Sequence, residues 1–122
     1  MPSPTFVLLY VRDPLASATF YAKLLGSPAR EASPGFAMFD LAPGTMLGLW
    51  RRDDVLPHPV VGPGAAEVAF SVTDAAAVHA RCAAWRGLGV RIVQEPGPMD
   101  FGFTFVGTDP DGHRLRVFAA AG

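Results

Sequence analysis

The chain repeats itself. Residues 6–26 read FVLLYVRDPLASATFYAKLLG and residues 67–87 read EVAFSVTDAAAVHARCAAWRG. With Asp13 laid on Asp74, each stretch becomes an apolar strand, an aspartate, a helix-length run and a glycine. A second pair also matches: Gly44 to Trp50 (GTMLGLW) and Gly112 to Phe118 (GHRLRVF), each a turn followed by a strand. Self-similarity of this kind marks one supersecondary unit written twice. A chain of 122 residues has room for two such units and little more, so a single domain over 1–122 is expected. Its first module covers about 5–50, a linker rich in Pro and Gly covers 51–65, and the second module covers about 66–119.

Ordinary signals place the elements. Residues 5–11 are a β-branched and aromatic run, which predicts a strand. Asp13 followed by Pro14 is a helix start, an N-cap with proline at the first helical position. Leu15, Ala18, Thr19, Tyr21, Ala22 and Leu25 follow at helical spacing, and Gly26 ends the helix. Asp74 caps a second helix with an apolar stripe of Ala75, Val78, Cys82, Trp85 and Leu88. Three strands follow each helix, at about 29–33, 36–41 and 45–50, then about 90–94, 101–107 and 113–119. Pro34-Gly35, Pro43-Gly44, Pro96-Gly97-Pro98 and Asp109-Pro110-Asp111-Gly112 read as the turns between them. Each module is therefore βαβββ, and the fold class is α+β.

Composition removes several functions. Half of the residues are apolar and 17% are charged, which suits a folded core. The formal net charge of −1 supplies no surplus of cations for phosphates, so nucleic acid is not an expected partner. The single cysteine, Cys82, excludes a disulfide framework and a cysteine zinc site. No apolar run reaches the ~20 residues of a membrane helix, and Met1-Pro2-Ser3-Pro4 lacks the regions of a signal peptide. A soluble cytoplasmic protein with no membrane partner is expected.

The run LYVRDPLASATFYAKLLG and the closing TDPDGHRLRVF resemble the vicinal oxygen chelate superfamily, which includes glyoxalase I, extradiol dioxygenases and bleomycin-resistance proteins. The likeness covers essentially the whole chain. It implies two βαβββ modules forming a curved mixed sheet around a central cavity, with helices on the outer face, and it implies a homodimer. Metal-dependent members resemble one another in four inward positions filled by His, Glu or Gln, one on the first and one on the last strand of each module. Carried onto this sequence, those positions are Phe6, Gly48, Glu67 and Arg116. Phe and Gly have no donor atom and Arg has no lone pair to offer. Only Glu67 can ligate, and a lone carboxylate is not a site. No metal and no cofactor are expected. His58, His79 and His113 fall in the linker, on the second helix and at the start of the last strand, and they do not converge.

Strand alternation gives the inner face a different character. Phe6, Leu8 and Tyr10 alternate with Val7, Leu9 and Val11, which face the helix. Met46, Gly48 and Trp50 alternate with Leu47 and Leu49. In the second module Glu67, Ala69 and Ser71 point inward, as do Arg114, Arg116 and Phe118. Met99, Phe101 and Phe103 lie on a segment flanked by breakers, which reads as a lid or rim. An apolar, aromatic wall with a few polar anchors suits a small ligand, and Gly48 leaves room in it. Tyr10, Phe6 and Trp50 are expected to sandwich a planar ring. Glu67 and Arg116 are candidates for an ion pair in place of a metal, and Arg114 or Arg116 for a ligand carboxylate. The candidate ligand-binding residues are thus Phe6, Tyr10, Met46, Trp50, Glu67, Ser71, Met99, Phe101, Phe103, Arg114, Arg116 and Phe118, with no catalytic residue among them. Among superfamily members the chain is similar to drug-binding proteins of the bleomycin- and phenazine-resistance kind. The expected function is metal-independent sequestration of a planar aromatic or amphipathic small molecule, as in antibiotic resistance. The alternative is a divalent-metal lyase, dioxygenase or thiol transferase.

Overall fold

Each module begins with a strand that runs into an aspartate, and that aspartate starts the helix. The computed structural model describes residues 3–121. Strand β1 (Thr5–Val11) leads to helix α1 (Pro14–Leu25). Asp13 Oδ1 accepts from the backbone N–H of Leu15 and Ala16 at 3.1 and 3.3 Å. Pro14 loses nothing at a position whose N–H has no helical acceptor. Gly26 takes the left-handed conformation that ends the helix. Strand β5 (Glu67–Ser71) leads in the same way to helix α2 (Ala75–Gly87), where Asp74 Oδ1 accepts from Ala77 N–H at 2.8 Å.

Three strands follow each helix: β2 (Glu31–Ala32), β3 (Phe36–Ala42) and β4 (Thr45–Arg51), then β6 (Arg91–Met99), β7 (Gly102–Thr108) and β8 (Arg114–Ala120). They form two four-stranded mixed sheets, ordered β1-β4-β3-β2 and β5-β8-β7-β6. In each, the first strand pairs in parallel with the last and the other neighbours are antiparallel. The fold class is α+β with two βαβββ modules. The chain divides into two compact units, the first ending at Gly62 and the second beginning at Pro63.

In the first unit Val11, Ala37, Phe39, Leu47 and Leu49 are buried, and Tyr21 of α1 packs on Phe39 at 6.4 Å. In the second, Trp85 of α2 sits edge-on to Phe70 and Phe105, with ring centroids 6.2 and 5.2 Å away. Gly107 is required under that indole, because a Cβ there would come within 2.8 Å of Val90 and 3.2 Å of Trp85. The helical stripes are narrower than their spacing predicts. Leu15 and Thr19 are exposed on α1 while Ser17 is buried, and on α2 only Val78, Cys82 and Trp85 are buried.

One element differs in kind. The sequence places a turn or lid at Pro96-Gly97-Pro98, but these residues belong to β6, which runs on to Met99 and turns back through Asp100 and Phe101 alone. The reason is position: β6 is an edge strand, where a proline need not donate to a neighbour. Register shifts between Ile92 and Gln94 and between Gln94 and Gly97 take up the irregularity.

Candidate functional site

Registration across the second sheet determines which side chains share its helix-free face. Residues opposite one another in register lie on the same face, and Phe105 and Gly107 contact α2, so their neighbours Thr104, Val106 and Thr108 lie on the other side. Three rows follow. Arg91, Thr108, Arg114 and Glu67 form one; Gln94, Val106, Arg116 and Ala69 the next; Gly97, Thr104, Phe118 and Ser71 the third.

Arg116 is the centre of this face. Its Nε donates to Glu67 Oε1 at 2.7 Å, and Nη1 donates to Gln94 Oε1 and Thr104 Oγ1, each at 3.1 Å. The Thr104 hydroxyl, fully buried, donates in turn to Val117 O at 2.8 Å. Three acceptors hold the guanidinium, and the charge-assisted bond to Glu67 is the strongest of them. The guanidinium carbon lies 5.8 Å from the centre of the Phe101 ring, within cation–π reach. Phe101 meets Phe118 edge-on at 6.0 Å, and Met99 Sδ lies 3.9 Å from Arg116 Nη1. The structure therefore brings Glu67, Met99, Phe101, Arg116 and Phe118 together. Gln94 and Thr104 belong to the same cluster and escape sequence reading. Thr104 is signalled only by its alternation with Phe103 and Phe105, and Gln94 is hidden between two register shifts.

Phe103 does not join them. Its ring packs on His79 of α2 at 5.1 Å, and it lines a helix-side cavity of about 420 Å³ with Thr73 and Asp74. Alternation from Thr104 turns it away from Arg116. The lid assignment fails with it, since Met99 and Phe103 are both strand residues. Glu95 also faces the helix side, where its carboxylate binds Arg86 and holds that guanidinium above its ordinary pKa. Arg114 and Ser71 lie on the helix-free face and are exposed.

The corresponding face of the first sheet is apolar except for Asp40, which pairs with Arg30 at 2.7 Å. Its rows are Tyr10, Trp50 and Phe36; Leu8, Gly48 and Met38; Phe6, Met46 and Asp40. Phe6 is 41% exposed and Met46 is buried. Tyr10 and Trp50 meet edge-to-face at 6.1 Å with planes 82° apart, so these two rings do not make the parallel walls of a sandwich. Nor does Gly48 leave room: a Cβ there would lie 2.6 Å from Leu8 Cδ2 and 3.0 Å from the Phe36 ring, which already fill the space.

The residues do not fit a divalent metal. At the four positions the resemblance assigns, Phe6 and Gly48 offer no donor, and the carboxylate of Glu67 is taken by Arg116, itself a fixed cation. Among the described residues no three His, Cys, Asp or Glu side chains gather as a metal-binding group. His58 is exposed in the connection between Asp54 and Glu67 and His79 is exposed on α2, while His113 backbone N–H donates to Asp109 Oδ1 in the last turn. No helix among the described residues is long and apolar enough to cross a membrane.

A family model, the glyoxalase/bleomycin resistance protein/dioxygenase superfamily, matches residues 4–117. The chain belongs to this superfamily. Comparison with curated proteins gives no match. Among solved structures, an Agrobacterium tumefaciens protein determined by NMR in solution is 48% identical over the full length of both chains, with a TM-score of 0.88. A glyoxalase-related enzyme from Fulvimarina pelagi is 20% identical, with 98% of this chain and 88% of that one covered and a TM-score of 0.82. A lactoylglutathione lyase from Agrobacterium tumefaciens is 19% identical, with 98% and 94% covered and a TM-score of 0.76. These last two likenesses are of fold. At the four positions the resemblance assigns, Phe6, Gly48 and Arg116 depart from the His, Glu or Gln pattern, and Glu67, which keeps it, is paired with Arg116.

Proposed function

We propose that this superfamily member binds and sequesters a planar, ring-bearing small molecule without a metal. The observation that carries the reading is the Glu67–Arg116 pair at 2.7 Å, standing where the superfamily resemblance places two metal ligands and flanked by Phe101 and Phe118. A guanidinium held by Glu67, Gln94 and Thr104 beside the exposed Phe101 ring and the half-buried Phe118 offers what a binding protein needs: apolar area for affinity and a directional donor for orientation. It offers no poised acid, base or nucleophile, and sequestration requires none. Phe6, Tyr10 and Trp50 supply further ring surface on the first unit. The reading extends to a cytoplasmic homodimer that protects against an aromatic antibiotic.

Isothermal titration of the full chain with phenazine, in EDTA and again with zinc, nickel or manganese added, tests this. Saturable binding of equal strength in all buffers is expected. Binding that appears only with metal, or no binding of this or other planar heterocycles, overturns the proposal.

A further inference from the structure

The helix-free face of the second sheet carries two exposed arginines at one end and rings at the other. Arg91, Thr108 and Arg114 stand side by side on β6, β7 and β8, with Glu67 closing the row on β5. Both arginines are exposed. The carboxylate of this row is engaged by Arg116, Glu95 on β6 binds Arg86 on the helix side, and Asp109 in the turn beyond β7 accepts from the backbone N–H of Asp111 and His113. Within these strand rows three arginines stand with one carboxylate, and Asp109 and Asp111 lie in the β7–β8 turn beyond them, although the chain as a whole carries a formal net charge of −1. From Arg114 to Phe118 along β8 is four residues, or about 13 Å at ~3.3 Å per residue. Between them stands Arg116, whose guanidinium lies against Phe101.

We propose that the ligand is an amphipathic aromatic acid, a carboxylate, sulfonate or phosphate ester. Its rings lie on Phe101 and Phe118, and its anionic group is taken by Arg91 and Arg114. The inference rests on the binding function proposed above and adds the charge of the ligand to it. Guanidiniums suit oxyanions because their paired N–H groups match two oxygens at once. Here Arg116 is already committed to protein acceptors through Nε and Nη1, so Arg91 and Arg114 take the acid while Arg116 orients the ring. Free anions without a ring gain only an exposed, screened attraction and bind weakly.

Two probes sharing one ring system separate the possibilities: 8-anilinonaphthalene-1-sulfonate and the neutral N-phenyl-1-naphthylamine. Each is titrated by its own fluorescence into the full-length protein and into Arg91→Gln and Arg114→Gln variants, with folding checked by near-ultraviolet circular dichroism. The sulfonate is expected to bind more tightly than the amine. Each variant should reduce that preference by about 1.5- to fivefold, the span an exposed ion pair provides, and added salt should reduce it further. Equal binding of the two probes to the wild type, or a preference unmoved in both variants, overturns the anionic assignment and leaves ring binding intact. Binding of neither probe overturns both.

Discussion

Glu67 Oε1 accepts a hydrogen bond from Arg116 Nε at 2.7 Å, with the side chains 32% and 15% exposed. One partner begins β5 and the other is central to β8, so the bond ties two parallel strands that are distant in the chain. Half-buried, it lies between exposed pairs worth ~0–1 kcal/mol and buried pairs whose breakage costs ~3–5 kcal/mol. A double-mutant cycle with Glu67→Gln and Arg116→Gln is expected to give a coupling of about 1–2 kcal/mol by urea denaturation. A coupling near zero would show that the contact adds nothing to stability.

Thr104 is buried and serves Arg116 as acceptor while donating to Val117 O. Thr104→Val keeps the shape and removes both bonds, leaving the guanidinium one acceptor short. The expected loss is about 1–3 kcal/mol, the cost of an unmet buried partner, with a matching loss of aromatic-ligand affinity in calorimetry. Thr104→Ser, which keeps the hydroxyl, should retain most of that affinity.

Gly102 lies where β7 leaves the Asp100-Phe101 turn, with a φ of 152° that L side chains rarely adopt. A Cβ there would collide with the Ala119 carbonyl in β8, which is backbone and cannot swing aside. Gly102→Ala is expected to cost more than about 2 kcal/mol. Gly48→Ala meets the mobile end of Leu8 as well as the Phe36 ring, so it should cost less, about 1 kcal/mol. Thermal denaturation of the two variants side by side gives the ranking.

The Trp85 indole N–H is buried and, among the described residues, has no hydrogen-bond partner. Trp85→Phe therefore forfeits no hydrogen bond and keeps a ring between Phe70 and Phe105. It should destabilise by about 1–2 kcal/mol, against ~3–5 kcal/mol for Trp85→Ala. The Phe variant also leaves Trp50 as the sole tryptophan, so its emission reports on the first unit alone.

Much of this fold is legible because its signals are local. Asp13-Pro14 and Asp74 mark helix starts by an acceptor any sequence can display, and the doubled pattern predicts both βαβββ units. The faces of β1, β4, β5 and β8 follow from uninterrupted alternation, which is why Glu67, Arg116 and Phe118 are foreseen on one side. Alternation fails in β6, where two register shifts break the period of two and hide Gln94. Its prolines look like a turn because nothing in their identity says the strand lies at an edge. Phe103 is misplaced for a related reason: a hairpin of only two turn residues sets its phase, and a longer loop was expected there. Gly48 reads as empty space until Leu8 and Phe36 are seen leaning over it, since occupancy above a glycine belongs to its neighbours.

In the proposed reading the Glu67–Arg116 ion pair stands where the superfamily resemblance places metal ligands. Elemental analysis by plasma mass spectrometry tests it most directly, on full-length protein purified without chelator and then dialysed against zinc, nickel, iron(II) and manganese. Far less than one retained ion per chain is expected, with no change in Glu67→Gln. One divalent ion held per chain and lost in Glu67→Gln would contradict it.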